Sequence, residues 1–185
     1  EPFVSKMANP LTDNIALNAV SLITRWLAPA YADGENLEAR YNMSLGSLLA
    51  GLVLNNSGTS LVHALSYPIG GEFHIPHGVS LSILLTTCFD YIKSARPKRF
   101  VRLAEAMGEN VEGLADRKAT ILAIEAIDHL IKSVDLPSSL SEVNIKDREK
   151  VEKWANDAHE EQRLLSRSVR VLSVEDIKKI YNNAF

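Results

Sequence analysis

Ser60-Leu-Val-His63-Ala-Leu-Ser-Tyr67-Pro-Ile-Gly-Gly-Glu72-Phe-His74-Ile-Pro-His77-Gly78 carries three of the chain's five histidines within fifteen residues, between two long apolar stretches. Neutral imidazole is a common protein ligand for Zn, Fe, Cu and Ni. The prolines and glycines between the histidines let the chain fold back, so that side chains distant in sequence can converge. The segment reads as helix, turn, helix: Thr59 or Ser60 caps a helix that carries His63 and stops at Pro68 and Gly70-Gly71. A loop from Gly70 to Pro76 then leads into a second helix opening at Pro76-His77-Gly78.

Outward from this segment, apolar positions recur at helical rather than alternating spacing nearly everywhere. A first helix opens at Asn9-Pro10, an N-cap followed by proline at the first helical position, and Pro29 bends or ends it. Leu37 to Leu54 forms the next, with Ser44, Gly46, Ser47, Ala50 and Gly51 permitting close helix packing. The helix beginning at His77 is apolar almost all round through Ile83, Leu84, Phe89 and Ile92, so it belongs at the centre of the core. Pro97 to Met107 follows, ending at Gly108 in a left-handed position. Then come Asp116 to Val134, a charged helix near Lys146 to Glu161, and a last one opened by the capping pattern Ser173-Val-Glu-Asp176. No βαβ alternation, glycine-rich phosphate loop or internal repeat is present. The expected fold class is all-α, a multi-helix bundle forming one domain over residues 1–185.

Composition narrows the function. With 46% hydrophobic residues but no run of the roughly eighteen apolar residues that a spanning helix needs, the chain is expected to be soluble and cytoplasmic, with no membrane partner. A net charge of -3 gives no electrostatic case for nucleic acid. The basic cluster Lys93, Arg96, Lys98, Arg99 and Arg102 reads as a solvated helix end. The lone cysteine, Cys88, sits among Leu84, Leu85, Phe89 and Ile92 and reads as a buried structural thiol. The chain opens Glu1-Pro2-Phe3 without an initiator methionine or a signal peptide, which suits a piece of a larger protein.

For any single histidine a core or surface role is the ordinary reading, and His129 and His159 keep it. His63 and His77 can meet if their two helices pack antiparallel. His74 is the weaker candidate, because Pro76 disfavours the helical Ile75 that would align His74 with His77. Two histidines do not make a catalytic metal site, which takes three or more protein ligands and an open position. No HExxH, cysteine cluster or calcium loop supplies the rest. Either His74 or a carboxylate such as Glu72 completes the site, or the other ligands lie on sequence outside this chain.

His63, thirteen intervening residues and His77-Gly78, with Tyr67-Pro68-Ile69-Gly70-Gly71 and Ile75-Pro76 between, resemble the signature of the iron-containing (group III) alcohol dehydrogenases. Leu11-Thr12-Asp13, the Leu45 to Leu54 helix with Asn55-Asn56-Ser57-Gly58, Leu103 to Gly108 and Val174 to Ile177 extend the likeness over essentially the whole chain. The resemblance implies the helical C-terminal domain of a two-domain enzyme, with a dehydroquinate synthase-like helical fold. A nucleotide-binding domain would precede it, and an Asp-x-x-x-His pair just upstream of Glu1 would complete the ligands. His63 and His77 would be metal ligands and act in catalysis through the metal, which is Fe2+ or, in its place, Zn2+ or another divalent ion. NAD or NADP would be bound mainly by the absent domain, and the substrate would be a small-molecule alcohol or aldehyde. Members are commonly homo-oligomers.

Two departures stand out. Tyr67 occupies the position four after the first histidine, where members often carry another histidine facing the nicotinamide, so a proton relay there is in doubt while a cleft-facing, cofactor-side role is retained. Ser168-Val169-Arg170 replaces a common Asn-Pro-Arg. The alternatives are a zinc-dependent relative, such as a glycerol dehydrogenase or dehydroquinate synthase, and a non-enzymatic helical module. The fragment alone is expected to be inactive.

Overall fold

The computed structural model describes residues 1–185, and it contains helices and no strand. Nine α-helices follow in order: α1 (Pro10–Ala32), α2 (Leu37–Ser57), α3 (Leu61–Phe73), α4 (His77–Ile92), α5 (Pro97–Ala106), α6 (Asp116–Lys132), α7 (Val151–Glu160), α8 (Gln162–Leu165) and α9 (Val174–Asn183). Single 3-10 turns at Pro2–Val4, Lys93–Ala95, Ser141–Val143 and Arg148–Lys150 join them. No single helix is long and apolar enough to cross a membrane; α2 and α3 pass that test only together, across a 103° bend.

Local chemistry sets the helix starts. The Asn9 side chain accepts from the amides of Leu11 and Thr12, and Thr12 Oγ1 in turn accepts from the Asn9 amide, with Pro10 in the first turn. Ser173 and Asp176 form the same reciprocal pair at the start of α9. Gly108 ends the α5 region with φ +90°, a conformation that glycine adopts without steric penalty.

Neither proline inside a helix is where that helix stops. Pro29 does not end α1, which runs on to Ala32. Pro68 and Gly70-Gly71 do not end α3, which continues to Phe73 and is closed by His74 in the left-handed conformation at φ 53°. Burial overrides the weak local propensity. Leu61, Val62, Ala64, Leu65 and Ile69 of α3 are buried in a core that joins Phe3 and Val4 at one end of the chain to Ala184 at the other. Pro68 withholds the amide that the Ala64 carbonyl would accept, and on the same turn the buried Tyr181 hydroxyl of α9 donates to the Leu65 carbonyl at 2.6 Å. Trp154 of α7, fully buried, stacks edge-on with Phe73 and Tyr181 at ring separations of 5.7 and 5.9 Å. So α3 lies enclosed by α4, α7 and α8.

The remaining helices form two flanking pairs, α1 with α2 and α5 with α6. Of the small residues in α2, Gly46 makes the close approach: a Cβ there would sit 3.0 Å from Ile23 Cγ1 of α1, whereas one at Gly51 would meet nothing. The opposite face of α2 leaves Leu37, Tyr41, Leu48 and Leu52 exposed at helical spacing. The basic cluster is not simply solvated. Arg99 grips the buried Asp13 carboxylate of α1 with two bonds of 2.8 and 2.9 Å, and also donates to the Phe3 carbonyl. Cys88 is fully buried as expected, and burial pushes its thiol pKa well up.

The Tyr181 hydroxyl supplies the one external partner of the proline turn. Tyr181→Phe is expected to lower stability by about 0.5–1.5 kcal/mol, the net worth of one buried hydrogen bond to a carbonyl that keeps its place in the helix. In urea this reads as a lower midpoint at unchanged m-value; an unshifted midpoint would refute the assignment.

Candidate metal and substrate cleft

His63 lies on the first turn of α3 and His77 opens α4, so the α3–α4 corner decides whether they meet. The corner is short. His74 reverses the chain through its left-handed backbone, Ile75 follows, and Pro76 takes the N-cap position with ψ 140°. The two helices pack against each other, and the His63 and His77 rings stand 5.2 Å apart between centroids, edge to face. Two imidazoles bound to one ion at a tetrahedral angle place their ring centres roughly 5 Å apart, given metal–nitrogen bonds of about 2.0–2.1 Å. The separation of the rings is therefore compatible with two positions of a metal's coordination shell. It does not fill the shell: nowhere does the chain bring three histidine, cysteine, aspartate or glutamate side chains into one metal-holding group.

The other sequence candidates do not join the pair. Glu72 is held elsewhere, receiving Lys150 and Lys153 at 2.9 Å each and the Trp154 indole N–H at 3.1 Å. Hydrogen bonds from Lys153, then Lys150 and Trp154, hold its carboxyl down to about 2 from the ordinary 4.5. His74 is committed to the reversing turn. His129 and His159 lie in the last turns of α6 and α7.

Tyr67 stands one helical turn after His63 and is exposed, its ring 6.4 Å from that of His77. Together with Ser66, Gly70, Gly71, Ile75, His77 and Ser80 it lines a cleft of about 370 Å³. A Cβ at Gly71 would meet nothing within 4 Å, so the α3 wall of the cleft is kept low there. Ser80 is buried, its hydroxyl donating to the His77 carbonyl at 2.8 Å.

Glu1 was not a sequence candidate. Its Oε2 lies 2.5 Å from His63 Nδ1, while Oε1 accepts from the Val62 amide at 2.7 Å and the Ser60 hydroxyl at 3.1 Å. Ser60, expected as a cap, makes no side-chain cap bond of its own; the Glu1 carboxylate meets the first turn of α3 in its place. Burial pushes the Glu1 carboxyl up, while the bonds from His63 and the Val62 amide pull it down.

The sequence profile described as the Fe-containing alcohol dehydrogenase family, C-terminal, matches residues 1–185. The chain belongs to the iron-containing alcohol dehydrogenase family. It is 38% identical over its whole length to long-chain-alcohol dehydrogenase 1 of Geobacillus thermodenitrificans strain NG80-2, covering 47% of that protein. It is 43% identical over 147 residues to a 1,3-propanediol dehydrogenase of Citrobacter freundii, a match covering 80% of this chain and 38% of the relative. Its fold superposes on the alcohol dehydrogenase from Oenococcus oeni with a TM-score of 0.96 at 37% identity, over 100% of this chain and 48% of the other. This member of the iron-containing alcohol dehydrogenase family thus spans about half the length of such relatives.

Glu72 provides a pH test. Because its folded pKa is depressed, its ion pairs stabilise the protein above the ordinary 4.5, and that contribution is lost as pH falls toward about 2. Glu72→Gln is expected to lower the urea midpoint modestly near neutrality, since both lysines are partly solvated. The gap from the parent should close across that acid window; a gap that persists unchanged to its lower end would overturn the assignment.

Proposed function

We propose that this chain is the metal-binding half of an NAD- or NADP-dependent alcohol or aldehyde oxidoreductase, with His63 and His77 as two of the metal's ligands. One observation carries the reading: in a chain of this family, two histidines fourteen positions apart lie ring to ring at 5.2 Å beside an open cleft. The ion is Fe2+, with Zn2+ or another divalent ion able to take its place. An aspartate and a further histidine just upstream of Glu1 complete the donors, and a nucleotide-binding domain precedes them. The proportions support this, since relatives are about twice as long, as does the bare apolar face of α2, a surface that further protein would cover.

When bound, the ion supplies a Lewis acid to the substrate oxygen and the nicotinamide supplies the hydride acceptor or donor. The chain's residues do the rest. His63 and His77, as neutral imidazoles, offer lone pairs from two helices whose corner fixes their separation. Tyr67 lines the cleft beside His77 and presents a hydroxyl on the cofactor side. Gly70 and Gly71 leave room for an alcohol or aldehyde substrate against α3, and Ile75 adds an apolar side chain to the lining.

The deciding measurement is metal content and alcohol-dependent NAD(P) reduction by the longer protein, beside His63→Ala and His77→Ala, after loading with Fe2+ or Zn2+. Both variants are expected to lose the metal, and turnover with it, while keeping the helical circular dichroism of the parent. Full metal and full turnover in both would show that the histidine pair is structural. The 185-residue chain alone is expected to show no NAD(P)-dependent turnover.

A further inference from the structure

We propose that Glu1 is a positioning residue for His63: its carboxylate fixes the neutral imidazole as the Nδ1–H tautomer and so leaves the Nε2 lone pair free for a ligand. The inference rests on the metal-ligand role of His63 proposed above, and it adds the group that prepares that ligand.

With Glu1 ionised and His63 neutral, the geometry leaves one arrangement of hydrogens. The Val62 amide can only donate, so it and the Ser60 hydroxyl fix Oε1 as an acceptor at the first turn of α3. That orients the carboxylate, and Oε2 then faces His63 Nδ1 at 2.5 Å. An ionised carboxylate can only accept, so the hydrogen in this contact belongs to the imidazole. A neutral imidazole has one N–H; with it on Nδ1, Nε2 is bare, which is the form that binds a metal. Both partners are shielded, with side-chain exposures of 16% for His63 and 7% for Glu1, so water does not easily replace the carboxylate. His77 makes no comparable bond through its ring and stands exposed. The order at the pair therefore comes from the His63 side.

A purely structural role, capping α3, is the competing account, and Glu1→Gln separates the two. The glutamine carbonyl must still face the Val62 amide, which turns the –NH2 toward His63 Nδ1. There it can only donate, so the ring hydrogen is driven to Nε2. The cap survives while the tautomer inverts.

The test is the long-range 1H–15N spectrum of the longer protein that contains this chain, with 15N-labelled histidine and without metal, recorded in the alkaline range where the His63 signals no longer change with pH. Wild-type His63 is expected as Nδ1–H and the Glu1→Gln variant as Nε2–H, with His129 unchanged in both. A wild-type His63 in the Nε2–H form overturns the proposal, whether or not the variant folds. So does a folded variant whose tautomer matches wild type. Titration with Zn2+ then addresses the underlying reading separately: the wild-type Nε2 resonances of His63 and His77 are expected to shift, with affinity weakened about 10–100-fold in the variant. The expected tautomers with no response to Zn2+ would uphold the role of Glu1 and overturn the metal assignment instead.

Discussion

A helix containing a proline and two adjacent glycines is a poor helix by itself, and the protein's architecture depends on α3 being one nonetheless. Relative to alanine, Pro68, Gly70 and Gly71 disfavour helix by roughly 5 kcal/mol together. Leu61, Val62, Leu65 and Ile69 are essentially fully buried, and each such side chain returns about 1.5–3 kcal/mol. Burial wins, though only because α4, α7 and α8 close around the helix. The enclosure also explains the far end of the chain: α7 supplies Trp154 and α9 supplies Tyr181, both packed against the turns of α3 that would otherwise open.

The cleft is built from the same compromise. Bulky residues at the glycine positions would make a better helix and a shallower cleft. Proline stiffens the turn between Tyr67 and Ile69 without needing an amide partner. Features that read locally as helix breakers thus serve to keep one wall of the cleft low, and the surrounding core meets the energetic consequence.

Much of this was legible in the sequence. The helix starts at Asn9-Pro10, Pro76-His77 and Ser173 follow from side chains acting on their immediate neighbours, and such chemistry can be read from a short window. The pairing of His63 with His77 was legible as a motif and required only that two consecutive helices pack. What escaped depends on contacts across long stretches of chain. Glu72 is claimed by Lys150 and Lys153, Arg99 by Asp13, and His63 by Glu1 sixty-two positions away. Nothing near any of these residues announces its partner. The continuation of α3 through Pro68 escaped for the related reason that propensity is local and burial is not.

The corner at His74, Ile75 and Pro76 turns the interval between the two histidines into a phase relation. Each residue of α-helix advances the side-chain direction by about 100°, so His63 and His77 face each other only while the number of residues joining α3 to α4 is held constant. What fills the interval can vary without disturbing that relation. Its length cannot, because one residue more or fewer would swing His77 toward another side of its helix. The spacing is a mechanical property of the fold, kept by counting rather than by chemistry.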